Sequence, residues 1–277
     1  MVNKKVLNVN YIGESAIFLE NLKSDMRFKI QNVFCKDTRI NKELIDSAKE
    51  LLCPIGGKED LAEKIINKLP KVDFNIIYSC PIIIPQSLIE IVDFYNIHPG
   101  SLYDNRGRNP IVWSLILGND RTVITLHKIA KEIDCGIIIS EKEVFINEDE
   151  KFSTLKHKLE SKFKSLLDDL YAFIIDNNNV YKIAKNGIYR KKITEADITI
   201  DVQHDTYKII KRKINSQDMY DGALLTLNNN SYRISSIISE QDIVPKKFFK
   251  KINVDLNNET IKIYTEGKLL ETKFRRI

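Results

Sequence analysis

Residues 96–110 read NIHPGSLYDNRGRNP and follow an apolar run at positions 91–95. The apolar run predicts a buried strand, and the Pro- and Gly-containing polar loop begins where that strand stops. Open α/β sheets bind their ligands in the crevice at the carboxyl ends of their strands. We therefore expect Asn96 and His98 to lie at the edge of a ligand site.

An acidic loop, EIDCG at 132–136, places Asp134 36 residues beyond His98. An asparagine amide can donate a hydrogen bond to an oxyanion, and a histidine can take a proton near neutral pH. A carboxylate can hold the histidine in one tautomer. Asn96, His98 and Asp134 are therefore predicted to form an acyl-transfer site.

Strands and helices are predicted to alternate through the first two thirds of the chain. The predicted strands lie at 6–12, 29–34, 74–78, near 96, at 122–129 and at 137–145. Helices are predicted after Ser15 and at 41–52, 58–69, 111–117 and 153–175, with a short helix or turn at 85–91. This alternation predicts a doubly wound, mostly parallel Rossmann-like α/β sheet.

After residue 180 the pattern changes to short alternating runs at 223–227, 232–238, 260–265 and 269–274. Asn228–Asn230 and Glu266–Lys268 are typical of hairpin connections. We predict a catalytic domain at 1–180 and a small β-rich C-terminal domain at 187–277.

The composition is typical of a folded protein, with 277 residues, 43% hydrophobic and 29% charged. The formal net charge of +5 suits an anionic small molecule as well as nucleic acid. The four cysteines have no paired or metal-ligand spacing, so reduced thiols and no metal are predicted. No apolar run approaches the roughly 20 residues of a membrane span, and no signal peptide is visible, which predicts a cytoplasmic protein without a membrane anchor.

Four motifs occur in an order that resembles the folate-dependent formyltransferase family. They are Asn96-Ile97-His98, Arg106-Gly107-Arg108-Asn109-Pro110, Thr125-Leu126-His127 and Asp134-Cys135-Gly136. The resemblance covers residues 1–175. It continues more weakly at 190–200 and 209–223, which look like the second domain of transfer-RNA and sugar formyltransferases.

The resemblance implies an enzyme that moves a formyl group from 10-formyltetrahydrofolate to an amine, without a metal. Asn96 would hydrogen-bond the formyl oxygen, His98 would move the proton of the amine, and Asp134 would hold His98. The pterin would bind to two loops, 79–83 and 130–134, with an apolar slot at Ile82–Ile84. The implied folate contacts are Ser79, Cys80, Pro81, Ile82, Ile83, Ala130, Ile133 and Asp134. The implied acceptor contacts are Gly100, Ser101, Arg106, Gly107 and Asn109.

Three features bear on the acceptor. The chain passes almost directly from Phe34 into the Asn41 helix, without the long basic insertion of transfer-RNA enzymes, and its charge is modest for an RNA binder. The C-terminal extension argues against a glycinamide ribonucleotide enzyme. Asn109-Pro110 followed by Trp113 is similar to nucleotide-sugar N-formyltransferases, which predicts a nucleotide-linked deoxyamino sugar, destined for surface polysaccharide such as O-antigen. The resemblance and the edge strands of a β-rich domain also imply a homodimer.

Other interpretations stay open. One is a methionyl-tRNA formyltransferase, one is a non-catalytic folate- or nucleotide-binding module, and one is a hydrolase of the formyl donor. His127 either faces the site or is an ordinary half-buried strand residue, and Arg106 either binds a phosphate or caps its loop. Cys135 is not predicted to be a nucleophile, because nothing adjacent in the sequence would lower its pKa.

Overall fold

The computed structural model describes residues 5–68, 71–176, 182–183, 187–243 and 250–276. The chain forms two compact units, each built from separate segments. The first unit contains residues 1–106, 123–143 and 159–188, and the second contains 107–122, 144–158 and 189–277. The boundaries in sequence at 1–180 and 187–277 stay a prediction.

An eight-stranded sheet with the order β3-β2-β1-β4-β5-β7-β8-β9 dominates the fold. The strands from β3 to β5 pair in parallel, whereas β5–β7 and β8–β9 are antiparallel. The predicted doubly wound, mostly parallel α/β class is confirmed. The strands are β1 Leu7–Gly13, β2 Phe28–Lys36, β3 Leu52–Ile55, β4 Phe74–Tyr78, β5 Phe94–His98, β6 Arg106–Gly107, β7 Arg121–Lys128, β8 Ile137–Phe145, β9 Lys182–Ile183 and β10 Tyr189–Arg190.

The helices begin where the sequence supplies caps. Ser15 and Asn41 each accept a hydrogen bond from a backbone N–H three residues later, at 3.2 and 2.8 Å. The helix after Asn109 begins with Pro110 and ends at Gly118, whose φ of 71° favours glycine. The helices are α1 Ala16–Ser24, α2 Lys42–Ala48, α3 Lys58–Glu63, α4 Gln86–Ile89, α5 Pro110–Leu117, α6 Phe152–Glu160, α7 Phe163–Ile175, α8 Glu195–Ile198 and α9 Tyr207–Asn215.

Three predicted helices were too long. The predicted helix 41–52 ends at Ala48, because its next residues form a 3₁₀ turn and then the short strand β3, which periodicity missed. Residues 64–68 form a π-helical turn rather than the end of an α-helix. The predicted helix 153–175 is two helices, α6 and α7.

Long-range contacts in the first unit set the start of α7. Phe163 packs against Phe18 and Tyr78, with ring centroids 4.9 and 4.8 Å apart. Just before it, buried Glu160 accepts a hydrogen bond from the Tyr78 hydroxyl at 3.0 Å. Edge-to-face aromatic pairs add about 1 kcal/mol each beyond their buried area. These contacts join distant segments, so the apolar period alone could not reveal the break in the helix.

The second unit contains a five-stranded antiparallel sheet with the order β11-β12-β15-β14-β13. The predicted connections 228–230 and 266–268 contain two-residue hairpin loops, Asn228–Asn229 and Glu266–Gly267, and both residues of each loop have positive φ. Ile210 and Ile214 of α9 are buried in the core of this unit. The strands are β11 Ala223–Leu227, β12 Asn230–Asp242, β13 Lys251–Asp255, β14 Thr260–Thr265 and β15 Lys268–Arg276.

Three buried asparagines form a ladder across the centre of the main sheet. Asn32 on β2 donates to Asn10 on β1 at 3.0 Å, and Asn10 donates to Asn75 on β4 at 3.0 Å. The three residues are opposite one another in the strand register and are at most 9% exposed. Asn75 Nδ2 has no hydrogen-bond partner among the described residues. The ladder penalises any shift of these strands, because a shift would bury unpaired amides.

Replacing the central residue of this ladder should destabilise the protein. We expect Asn10→Ala to lower the free energy of unfolding by about 2 kcal/mol or more, because it leaves amide groups of Asn32 and Asn75 buried and unpaired. Urea denaturation would measure the change. The control is Asn257→Ala at an exposed turn position, expected within about 0.5 kcal/mol of the parent. Equal stability of the two variants would contradict the role of the ladder.

Candidate active site

The pairing of β5 with β7 brings the first site residues together. In this antiparallel pair Asn96 lies opposite His127, and His98 lies opposite Thr125. Asn96 Nδ2 is 3.1 Å from His127 Nε2. The strand register therefore answers the question left open for His127, whose ring contacts a predicted catalytic residue.

The loop between β7 and β8 brings Asp134 to the same place. Asp134 has a left-handed backbone with φ of 49°, and its side chain is 11% exposed. Gly136 permits the tight loop, because a Cβ atom there would lie 1.9 Å from the carbonyl oxygen of Lys128. The loop geometry thus depends on Gly136 of the Asp-x-Gly motif.

The carboxylate of Asp134 faces three of the site residues. Its Oδ2 is 3.8 Å from His98 Nδ1, and its Oδ1 is 3.7 Å from His127 Nε2 and 3.5 Å from Asn96 Nδ2. The predicted trio of Asn96, His98 and Asp134 therefore converges in the structure. The arrangement combines an amide donor, an imidazole and a carboxylate, as acyl transfer to an amine requires.

The orientation of His98 depends on a residue that the sequence analysis missed. His98 is 5% exposed, and its Nε2 is 2.9 Å from the backbone carbonyl oxygen of Asn105. A carbonyl can only accept, so Nε2 carries the proton and Nδ1 faces Asp134. The 3.8 Å distance to Asp134 is longer than a hydrogen bond, so the Asn105 carbonyl makes the direct orienting contact. A backbone group leaves no residue-type signal in a sequence.

Burial sets the protonation state of His127. The side chain is 1% exposed, and loss of solvent lowers its pKa to about 4, with the nearby His98 acting in the same direction and Asp134 opposing it. The imidazole is therefore neutral near pH 7. A neutral imidazole has one donor nitrogen and one acceptor nitrogen, which allows Nε2 to accept from Asn96.

The first predicted folate loop, 79–83, follows β4. Ser79 has φ of 56° and donates from its hydroxyl to Glu14 at 3.0 Å. Burial raises the pKa of the Cys80 thiol to about 11, so this group is a neutral thiol near pH 7. Pro81 is exposed and Ile82 is half-buried. The loop thus presents backbone and small side chains rather than a charged group.

The predicted apolar slot at Ile82–Ile84 is only partly open. Ile84 is 8% exposed and belongs to the core cluster that also contains Ile12 and Ile77, so it is a core residue. Ile83 is 57% exposed. The exposed isoleucine of the predicted slot is therefore Ile83, because Ile84 turns into the interior beneath the loop.

The second predicted folate loop, 130–134, also presents an apolar side chain. Ala130 is exposed, and Ile133 is 46% exposed immediately before Asp134. Each predicted folate loop therefore carries one exposed isoleucine, Ile83 or Ile133. Apolar side chains beside directed backbone groups are typical of sites for flat heterocycles.

The predicted acceptor contacts in the first unit have clear local roles. The Gly100 carbonyl accepts from the Thr125 hydroxyl at 2.8 Å. The Ser101 hydroxyl accepts from the backbone N–H groups of Tyr103 and Asp104 at 3.1 and 3.3 Å, which closes the turn after His98. These contacts shape the loop, and their role in binding an acceptor stays a prediction.

Arg106 joins two motifs of the first unit, since its guanidinium donates to the Cys135 thiol. No residue adjacent to Cys135 in sequence was expected to lower its pKa, and Arg106, which acts in that direction, is distant in sequence. Arg106 lowers the pKa of Cys135, but burial is the larger effect and the net pKa is raised. Cys135 is therefore a thiol rather than a reactive thiolate near pH 7, as its predicted non-nucleophilic role requires.

Gly107 and Asn109 belong to the second unit. Gly107 has φ of 98°, and a Cβ atom there would lie 2.6 Å from the carbonyl oxygen of Arg190. Asn109 has φ of 55°, and its side-chain oxygen accepts from the Ile193 N–H at 3.2 Å. Both residues hold unusual backbone positions, and their predicted contact with an acceptor stays a prediction.

Within the described ranges, no group of three or more His, Cys, Asp or Glu side chains has the geometry to hold a metal ion. Over the same residues, no helix is both long and apolar enough to cross a membrane.

Residues 38–169, which contain the whole converging site, match the family model described as formyl transferase. Over this range the chain is similar to the formyltransferase family. It is 29% identical over 201 residues to the methionyl-tRNA formyltransferase of Thermosipho melanesiensis, covering 72% of this chain and 64% of that protein. The chain spans just under two thirds of the length of the first curated relatives it matches.

Two solved structures share the formyltransferase fold with the chain. HypX from Aquifex aeolicus in complex with tetrahydrofolic acid is 17% identical with a TM-score of 0.71, covering 98% of this chain and 44% of that one. A 4-N formyltransferase from Francisella tularensis is 23% identical with a TM-score of 0.67, covering 80% of this chain and 93% of that one.

The low pKa of buried His127 makes the stability of the protein depend on pH. The folded-state pKa of about 4 lies below the ordinary value of about 6.5, so between these values the unfolded chain binds more protons. The contribution of neutral His127 is complete above pH 6.5 and is lost as the pH falls towards 4. The expected loss is about 3 kcal/mol in the free energy of unfolding.

Denaturant unfolding between pH 7 and pH 4 would measure this loss. His127→Gln, which cannot take up a proton, should show a shallower decline than the parent. His157→Gln, which removes an exposed imidazole, is the matched control and should follow the parent. If the free energy of unfolding fell equally with pH in the parent and in His127→Gln, the low pKa assigned to His127 would be wrong.

Proposed function

We propose that this protein transfers a formyl group from 10-formyltetrahydrofolate to an amine at the site formed by Asn96, His98 and Asp134. The observation that carries the proposal is the convergence of these side chains around one carboxylate, within 3.8 Å. Similarity to the formyltransferase family gives this convergence a chemical meaning, because the three residues lie inside the matched range 38–169.

The residues divide the reaction between them. The neutral amine attacks the formyl carbon and forms a C–N bond, while the carbonyl oxygen becomes an oxyanion that accepts from the Asn96 amide. His98, supported electrostatically by Asp134, takes the proton of the amine. The bond from carbon to the folate nitrogen then breaks, and that nitrogen leaves with a proton. No metal takes part in these steps.

The two loops that the resemblance assigns to folate favour 10-formyltetrahydrofolate as the formyl donor. Ile83 and Ile133 offer apolar surface beside backbone groups, which suits a pterin ring. The HypX structure with tetrahydrofolic acid is similar in fold to this chain. We therefore propose that backbone groups of residues 79–83 and 130–134 bind the pterin.

We propose a nucleotide-linked deoxyamino sugar as the acceptor, in the cytoplasm and for surface polysaccharide. Charge pairing in the second unit supports this choice over RNA. The basic run Lys211-Arg212-Lys213 lies on α9, where Lys211 is bound to Asp149 and Glu240, and Lys213 is 2.7 Å from Asp205. Lysines bound to carboxylates are poor phosphate ligands. A second basic pair in the sequence, Lys246-Lys247, lies outside the described residues.

A methionyl-tRNA formyltransferase is the second candidate. The observation in its favour is the identity of 29% over 201 residues to the Thermosipho melanesiensis enzyme. The 4-N formyltransferase of Francisella tularensis matches a larger share of its own length, 93%, but at lower identity. The acceptor therefore has to be decided by a direct comparison of substrates.

We also propose that the protein is a homodimer. In the five-stranded sheet β11 and β13 are the outer strands, and β13 carries an edge that a second copy can pair with. Light scattering on the purified protein would give the mass, and a monomer at micromolar concentration would contradict this proposal.

Loss of the Asn96 amide should abolish most of the transfer rate. We expect Asn96→Ala to reduce kcat by about 10² to 10³-fold, since it removes a hydrogen-bond donor to the oxyanion. His98→Ala should reduce it comparably, while His157→Ala at the surface should retain the parent rate. The assay follows tetrahydrofolate release together with the mass gain of the acceptor. Parent-like rates in Asn96→Ala would contradict the mechanism.

A panel of acceptors would distinguish the candidates. We expect the mass gain of one formyl group on a nucleotide-linked 3- or 4-amino sugar and none on charged initiator tRNA. Formylation of the tRNA alone, with a steep loss of rate at higher salt, would favour the second candidate. Release of tetrahydrofolate without any formylated acceptor would indicate a hydrolase. Folate binding without turnover would indicate a non-catalytic binding module.

A further inference from the structure

We propose that His127 is a positioning residue that holds the Asn96 amide with its nitrogen towards the reacting group. The effect on the rate rests on the proposed formyl transfer, whereas the geometry of the pair does not. His127 is 1% exposed and lies directly opposite Asn96 in the β5–β7 pair. It therefore has a fixed place beside the amide and no path to contact bulk solvent.

Hydrogen-bond chemistry determines which nitrogen of His127 carries the proton. The two nitrogens Asn96 Nδ2 and His127 Nε2 are 3.1 Å apart. An amide nitrogen can only donate, so Nε2 must present a lone pair. A neutral ring with a free Nε2 has its proton on Nδ1. The contact with Asn96 thus assigns the Nδ1–H tautomer to His127, although Nδ1 itself has no hydrogen-bond partner among the described residues.

Asp134 selects the same orientation of the Asn96 amide. Its Oδ1 lies 3.5 Å from Asn96 Nδ2, and a carboxylate oxygen also accepts only. If the amide were rotated by 180°, its own oxygen would face both the Nε2 lone pair and the carboxylate. Two acceptors on one side therefore hold the nitrogen in place, and protonation of His127 would remove the nearer of the two.

The two contacts of the Asn96 amide nitrogen differ in length, and this difference can serve the reaction. The contact with His127 is 3.1 Å, which is a normal hydrogen bond, whereas the contact with Asp134 is 3.5 Å and weak. An amide nitrogen has two N–H bonds. One stays bound to His127, and the other can leave Asp134 for the formyl oxygen as negative charge develops there.

The first test measures the tautomer without any substrate. The chain has only four histidines, so ¹⁵N-detected correlation spectra of the labelled protein can be assigned by comparison with His127→Gln. We expect the His127 signals to show a protonated Nδ1 and a free Nε2 from pH 8 to about pH 5. A protonated Nε2, or titration with a midpoint near the ordinary pKa of about 6.5, would overturn the proposal.

The second test separates positioning from packing. His127→Gln keeps an acceptor next to Asn96, whereas His127→Leu fills similar space without one. We expect His127→Leu to lose about tenfold or more in kcat with unchanged KM values for donor and acceptor, and His127→Gln to stay within about threefold of the parent. Both variants are first checked by thermal unfolding.

The outcomes of these tests are distinguishable. Equal kcat values for the Leu and Gln variants, or an effect on KM alone, would overturn the positioning role. If the parent enzyme formylates no acceptor, the proposed function fails, but the NMR experiment still decides the tautomer and hence the orientation of Asn96.

Discussion

The antiparallel pairing of β5 with β7 is the constraint on which the site depends. The parallel part of the sheet brings loops together at one edge, whereas the register of this antiparallel pair fixes which side chains meet at the site. By reversing the direction of one strand, the fold places Asn96 opposite His127 and His98 opposite Thr125. Asp134 then needs only a short loop, closed by Gly136, to reach the same point. A slip of one residue would turn Asn96 to the other face.

The sequence was informative wherever a local rule applied. The helices predicted after Ser15 and from residue 41 begin next to the caps Ser15 and Asn41, and the helix predicted from residue 111 begins at Pro110. The hairpin loops of the C-terminal sheet lie within their predicted connections. The predicted catalytic trio converges because Asn96 and His98 lie on one strand and Asp134 lies in the loop that follows the strand paired with it. The features that the sequence could not show depend on contacts between residues that are far apart in the chain. The break between α6 and α7 results from the packing of Phe163.

The same limit applies inside the site. The orientation of His98 depends on the carbonyl of Asn105, which has no signature in residue type. His127 was ambiguous, because a strand histidine can face either way until the register is known. The protonation state of His127 is still harder to predict from sequence, since its pKa depends on burial by residues from several elements. Residue types thus indicated the chemistry, and the three-dimensional environment determined how each group is held.

The arrangement of charge shows why net charge is a weak guide to partners. The chain has a formal net charge of +5, yet Lys211 and Lys213, two lysines of the most basic described helix, are bound to carboxylates of their own unit. Such pairs contribute to local order more than to long-range attraction. An acceptor must therefore be recognised at close range by individual groups rather than by a diffuse field.

The asparagine ladder has a consequence for how the chain reaches its native state. Strands β1, β2 and β4 are apolar enough to associate in several alignments, which is a hazard for a slowly folding parallel sheet. A shift of β2 or β4 against β1 would separate Asn10 from Asn32 or from Asn75 and leave more amide groups buried without partners. The ladder therefore raises the free energy of compact states with misaligned strands relative to the native sheet. Fewer such states then compete with the native alignment during folding.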